Sequence, residues 1–272
     1  MTWTAERKRA VAVRAPLDPP MLRPDSRVVR RPGWYQLITP SAPGTLLNEV
    51  ILSRVAPAEA ERCIDDVVAT YRATGHPVKW CVGPWTEPAD FGDRLARRGF
   101  RSWDVRGMAI ATSRQVAAPD AVSVVEVGEH ELHAYLTTSM RGWSIPTEQR
   151  TAELELHRAA LRASPRLARF FAALVNGDTV GTTGLFLKEG HAYLVGAQVL
   201  PAFRGRGVYR ALVAARLAFL ARAGVELAVT HAREATSAPV LEHLGFETLF
   251  RSACYLLEPA RTTRPGRTGT RA

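Results

Sequence analysis

The chain has 272 residues, 46% of them hydrophobic and 23% charged, a balance that suits one large globular domain or two of ordinary size. No apolar run reaches the roughly 18 residues of a membrane span. Met1 to Arg14 carries Arg7, Lys8, Arg9 and Arg14 without the apolar stretch of a secretory signal, so a cytoplasmic protein with no membrane partner is expected. The three cysteines, Cys63, Cys81 and Cys254, form no CxxC pair and no Cys/His cluster of zinc spacing. They read as buried free thiols, and no metal is expected.

The net charge of +10 sits mostly at the ends: +5 in residues 1–31 and +4 in residues 259–272, which leaves about +1 for 32–258. Pro16, Pro19, Pro20, Pro24 and Pro32 mark the first of these as a disordered basic arm, and the Pro-, Thr- and Gly-rich end as a disordered basic tail. A basic groove in the folded body is not indicated, so a specific nucleic-acid partner is not expected.

Between the ends, two series of elements follow one another. In the first (32–115), Leu46 to Val55 reads as a strand. Pro57 to Thr74 reads as a helix with Ala60, Cys63, Val67, Val68 and Tyr71 on one face and Gly75 as its stop. Pro77 to Val82 reads as a strand, Asp90 to Arg98 as a helix and Val105 to Ala111 as a strand. Thr112 to Ala121 reads as a linker. In the second series (122–258), Val122 to Val127 reads as a strand, then Glu129 to Met140 and Glu148 to Ala163 as helices. Phe170 to Val175 and Val180 to Leu187 form a hairpin across Asn176-Gly177-Asp178. Ala192 to Leu200 is a further strand. Helix Val208 to Ala223, strand Leu227 to Thr230, helix Ala238 to Leu244 and strand Ala253 to Leu257 complete the order. On the first of these last helices Arg216 falls within the apolar arc, and its head is expected to reach solvent.

The chemistry concentrates in Gln198-Val199-Leu200-Pro201-Ala202-Phe203-Arg204-Gly205-Arg206-Gly207-Val208-Tyr209-Arg210. An apolar strand stops at Pro201, and a turn with two glycines enters a helix. Glycine lets the backbone approach a ligand closely, the first helical turn offers unpaired N–H groups, and Arg204 and Arg206 add charge. Such a turn cradles a diphosphate. It lacks the Gly-Lys-Ser/Thr ending of a P-loop and the third glycine of a dinucleotide fingerprint.

This segment resembles the GNAT superfamily of N-acetyltransferases, whose signature is Gln/Arg-x-x-Gly-x-Gly/Ala. Arg204 and Gly207 match its first and fourth positions, and Tyr209 stands where a small residue is usual. Glu234 to Phe246, ending His243-Leu244-Gly245-Phe246, is similar to the second motif of that superfamily. The resemblance implies an α/β (α+β) fold with a mixed central sheet flanked by helices. It also implies acetyl-CoA as co-substrate, held by Gln198, Val199, Leu200 and the loop Arg204, Gly205, Arg206, Gly207, Val208, Tyr209 and Arg210. Leu241 stands where many members carry an acidic tyrosine, so the catalytic residue is unknown; His231 and Tyr255 are candidates, beside Tyr209 and His191. Trp143 is a candidate wall of the acceptor pocket, and Glu148, Glu153 and Glu155 could draw a cationic amine.

Arg97-Arg98-Gly99-Phe100 near the end of the first series parallels His243-Leu244-Gly245-Phe246. The chain thus looks like a tandem member of two such lobes, 32–115 being degenerate. Gly83-Pro84-Trp85-Thr86-Glu87-Pro88 is expected in place of the first lobe's cradle, its prolines lacking donors. The expected reaction is transfer of acetyl to a primary amine of a small molecule; a protein amine, or a non-catalytic acetyl-CoA sensor, are the alternatives.

Overall fold

The computed structural model describes residues 2–259, so the expected tail over 259–272 lies almost wholly outside the described residues. The elements are α1 (Ala5–Arg14), β1 (Arg27–Arg31), β2 (Trp34–Ile38), β3 (Glu49–Ser53), α2 (Ala60–Thr74), β4 (Val78–Val82), α3 (Phe91–Arg97) and β5 (Arg101–Ala111). They continue as β6 (Ser123–Glu126), α4 (Leu132–Trp143), α5 (Arg150–Arg162), β7 (Ala168–Val175), β8 (Asp178–Lys188), β9 (His191–Val199), α6 (Val208–Arg222), β10 (Leu227–Arg233), α7 (Ser237–His243) and β11 (Glu247–Leu257). The architecture is the expected mixed α/β one, a large mixed sheet with helices on both faces. Among the described residues no helix is long and apolar enough to cross a membrane.

The strands form one sheet in the order β1-β2-β3-β4-β11-β5-β10-β9-β8-β7-β6. Its centre departs from the expectation of two lobes packed side by side. β11 lies between β4 and β5, and β5 lies between β11 and β10, antiparallel throughout. Each half of the chain therefore inserts its last strand between the final two strands of the other half, and a boundary at 115/122 separates no independent lobes. Both exchanged strands are longer than Val105 to Ala111 and Ala253 to Leu257 suggested. The missed starts mix polar Arg101, Ser102 and Asp104, and Glu247, Thr248, Arg251 and Ser252, with apolar residues, which hides the alternation that marks a strand.

Only two neighbouring pairs run parallel, β3 with β4 and β9 with β10, and each is joined by a crossover helix, α2 or α6. Alternation assigns the faces. Ala228 and Ala232 of β10 pack with α6 and α7, whereas Leu227 and Val229 pack with Ala12 of α1. On that second face Tyr135 and Leu136 of α4 and Ala160 of α5 cover Phe170 and Ala172 of β7. Trp80 and Phe91 are fully buried in the first half, beneath Ala60, Ile64 and Val67 of α2.

The first 31 residues are not a disordered arm. Thr4 Oγ1 accepts from the Arg7 amide and caps α1, whose Ala12 is fully buried against β5, β10 and β11. Pro16, Pro19, Pro20 and Pro24 fall between α1 and β1 and Pro32 between β1 and β2, none inside an element, so composition misled where position did not. Lys188 Nζ donates to the carbonyls of Leu17 and Asp18 at 2.7 Å, and His231 Nε2–H donates to Ala12 O at 2.9 Å. Farther on, Arg23 reaches Glu153 at 2.6 Å and Gln149 at 2.9 Å, joining the N-terminal segment to α5. Arg216 is likewise corrected: it is 2% exposed, with its guanidinium in the core.

Two outcomes follow for stability. A Cβ on Gly107 of β5 would overlap the Phe250 ring of β11, so Gly107→Ala is expected to destabilise by about 1–3 kcal/mol, read as a lower denaturation midpoint. Burial pushes His231 down to about 4 from its usual 6.5, so the unfolded chain binds the proton first. The His231 contribution is complete above pH 6.5 and is lost as pH falls toward 4. His231→Gln, which can still donate to Ala12 O, should weaken that acid sensitivity in chemical denaturation series.

Candidate functional site

The parallel ladder of β9 and β10 runs only from His191↔Leu227 to Leu194↔Thr230. Beyond it the strands part. β9 stays with β8 through a register shift between Thr182 and Gly184, and Gly196 takes a φ of +64° there. Thr230 Oγ1 donates to Leu194 O at 2.9 Å, at the point where the fork opens. The fork has β9 residues 195–199 on one side and the end of β10 on the other, and the first turn of α6 follows at its end.

That first turn is built by glycine conformation. Gly205 and Gly207 have φ of +75° and +76°, in the left-handed region. Ala211 is the first residue whose amide closes onto the helix, at 3.0 Å from Gly207 O, so the amides of Val208, Tyr209 and Arg210 are the free donors of a first turn. Arg204, Arg206 and Arg210 are exposed, and among the described residues none has a carboxylate within 4.0 Å. Arg204 Nε donates to Val199 O at 3.3 Å, and the Arg206 guanidinium lies 5.4 Å from the Phe203 ring centre. Donors, dipole and unpaired cations converge on one spot.

Tyr209 departs from the signature for a visible reason. Its ring stands beside the buried Arg216, whose Nε donates to Leu212 O at 3.1 Å and Nη1 to Gly184 O at 3.3 Å. Burial pulls Arg216 down to about 10, against the nearby Tyr209 and Tyr135. The guanidinium thus ties α6 to the irregular point of β8 where the fork begins.

Above the fork, Gln198 Nε2 donates to Thr138 O at 3.1 Å and to Thr182 Oγ1 at 3.0 Å, while its buried Oε1 has no partner among the described residues. The amide lies against Gly142 of α4, next to Trp143, which is 51% exposed. A side chain on Gly142 would displace Gln198. The open fork, the orphaned Gln198 oxygen and the glycine turn together suit a long ligand with an anionic end.

The other expected residues are spread out. His231 stands one residue beyond the last ladder pair, but α1 covers it and Tyr193 and Phe250 flank it at 5.7 and 5.6 Å. Tyr255 lies in the first half's core, its hydroxyl against Gly92 of α3. His191 begins β9, at the closed end of the ladder, under Trp3. Glu153 is engaged by Arg23.

Topology also relocates the first half's counterpart of the glycine turn. It is not Gly83-Pro84-Trp85-Thr86-Glu87-Pro88 but the turn before α2, Arg54-Val55-Ala56-Pro57-Ala58-Glu59, since α2 is the crossover helix. That turn has no glycine, and Glu59 and Glu61 place carboxylates at the helix start. Here the fork is shut. The Glu87 amide donates to Ser53 O and the Val55 amide to Glu87 O, both at 3.1 Å, and Arg54 pairs with Glu87. The segment after β4 fills the gap that the second half leaves open.

The acetyltransferase (GNAT) family model matches residues 130–246. No curated protein matches the chain. Solved structures do. A GCN5-related N-acetyltransferase from Kribbella flavida aligns with a TM-score of 0.63 at 15% identity, over 95% of this chain and 97% of that one. A functionally unknown conserved protein from Staphylococcus epidermidis aligns at 0.66 and 12% identity, over 86% and 95%. A tandem GNAT protein from the clavulanic acid biosynthesis pathway aligns at 0.53 and 18%, over 93% and 87%. At these identities the likeness is one of fold, and the family match falls on the half with the open fork. The acetyltransferase (GNAT) family match therefore covers residues 130–246, the stretch that holds the open fork and the glycine turn.

Proposed function

We propose that the protein is an N-acetyltransferase that binds one acetyl-CoA per chain in the β9/β10 fork and acetylates a primary amine of a small molecule. The observation that carries this reading is the contrast between the two forks, one open beside a glycine turn and one filled by Glu87. In this reading the amides of Val208, Tyr209 and Arg210, with Arg204 and Arg206, hold the diphosphate. Gly205, with open space where a Cβ would stand, gives it room, Gly207 lets Pro119 pack against the turn, and the unpaired backbone edge around Gln198, Val199 and Leu200 holds the pantetheine amides. Acetyl-CoA supplies an acyl group activated as a thioester.

The chain's own contribution is placement. The strand edge fixes the carbonyl, and α4 with Gln198 and Trp143 borders the side from which a neutral amine attacks directly in a ternary complex. His231 at about 4 is far too weak a base near neutral pH, and its Nε2–H is committed to Ala12 O. Burial beside the Arg216 guanidinium raises the Tyr209 hydroxyl above its usual value, and Leu241 is buried and apolar. We assign the amine's proton to water, with polarisation by backbone donors rather than a dedicated side-chain acid.

Calorimetry should give one acetyl-CoA per chain; two, or none, would sink the reading. Arg206→Glu sets a carboxylate beside the diphosphate and is expected to weaken binding about tenfold or more without unfolding the chain. Assayed by thiol release over a panel of amines, turnover should rise with pH toward the acceptor's own pKa, with no limb set by His231. Tight binding without thiol release for any amine would favour the sensor alternative.

A further inference from the structure

Cys81 of β4 and Cys254 of β11 are 173 residues apart in the chain and directly opposite each other in the antiparallel ladder, with their sulfurs 4.0 Å apart. Opposed residues in such a ladder have Cα atoms about 4.5 or 5.5 Å apart, inside the window a disulfide accepts. Both side chains are only half-buried, on the face of the sheet away from α2 and α3. They lie at the junction where the exchanged strand enters the first half.

We propose that Cys81 and Cys254 form an oxidisable dithiol, which a peroxide converts to an interstrand disulfide that ties β11 to β4. Neither thiol is used by the acetyl-transfer reading, and this inference does not depend on it.

The surroundings assign the roles. The hydrogen bond from Cys81 pulls the Cys254 thiol down and Lys79 lowers it further, while that bond and burial push Cys81 up. Lys79 holds its charge through Glu49 at 2.6 Å. Cys254 is thus the thiolate that attacks. Its sulfur displaces hydroxide from hydrogen peroxide and becomes a sulfenic acid. The Cys81 sulfur then attacks the sulfenic sulfur, the S–S bond forms, and water leaves. The two thiol protons end in the two waters formed per peroxide reduced. Cys63 is the internal control, buried on the other face beneath Arg31.

The test is peroxide treatment of the full chain, followed by thiol titration under denaturation and by proteolytic mapping. The thiol count should fall from three to one, and the peptide carrying Cys81 should be recovered joined to that carrying Cys254. Tm should rise by about 5–10 °C and return to its starting value with dithiothreitol. Cys81→Ser and Cys254→Ser should each abolish the Tm rise. Three thiols retained, sulfinic acid on one cysteine without a cross-link, or a cross-link between chains would overturn the proposal. If a serine variant does not fold, the wild-type peptide map decides alone.

Discussion

Ser252 faces Val105 and Arg251 faces Arg106 in the ladder that holds β11 against β5, and this ladder joins the last strands of the two halves. Two arginines set opposite each other would repel. Glu234, at the end of β10, resolves the conflict by bonding Arg106 and, at 2.6 Å, Arg251, while Glu242 of α7 takes another Arg106 nitrogen at 3.1 Å. Arg106 first, then Arg251, hold the Glu234 carboxyl down to about 2. The cluster locks β5, β10, β11 and α7 into one register, and with it the end of β10 that forms one side of the fork.

From that frame the two halves diverge by small means. Both use a parallel pair bridged by a helix, and in both the strands begin to part. In the first half Glu87 threads into the opening, and Trp80 Nε1 donates to Ser53 Oγ at 3.0 Å beneath it. In the second half no backbone hydrogen bond among the described residues bridges the gap, and the buried Arg216 braces its margin at Gly184. A buried guanidinium without a carboxylate carries a desolvation penalty. Its presence beneath the glycine turn suits a site that keeps its shape around a diphosphate, as the proposed function requires.

Much of the second half was legible because its signals are local. Gly205 and Gly207 after an apolar strand announce the turn, and Val208 to Ala223 closely matches the observed helix. The fork itself is not marked in the sequence, since a strand's parting from its neighbour leaves no periodicity. What stayed hidden depends on distant partners. Cys81 and Cys254, like Glu234 and Arg251, meet across strands whose pairing no local pattern encodes. The N-terminal helix was missed because its prolines were read as composition rather than as boundaries. The first cradle was sought after the wrong strand because only the sheet order reveals which helix is the crossover.

The exchanged strands also bear on how such a chain is made. When synthesis has passed Ala111, β4 and β5 both exist, yet the strand that separates them will not begin until Glu247. For that interval they have bare edges facing one another, and direct pairing of β4 with β5 is a shortcut that must be undone before β11 can enter. Contacts of such sequence separation close slowly. The central sheet is therefore assembled last, after most of its components, and a chain shortened before Glu247 would hold every element of its first half and still lack that half's own interior strand.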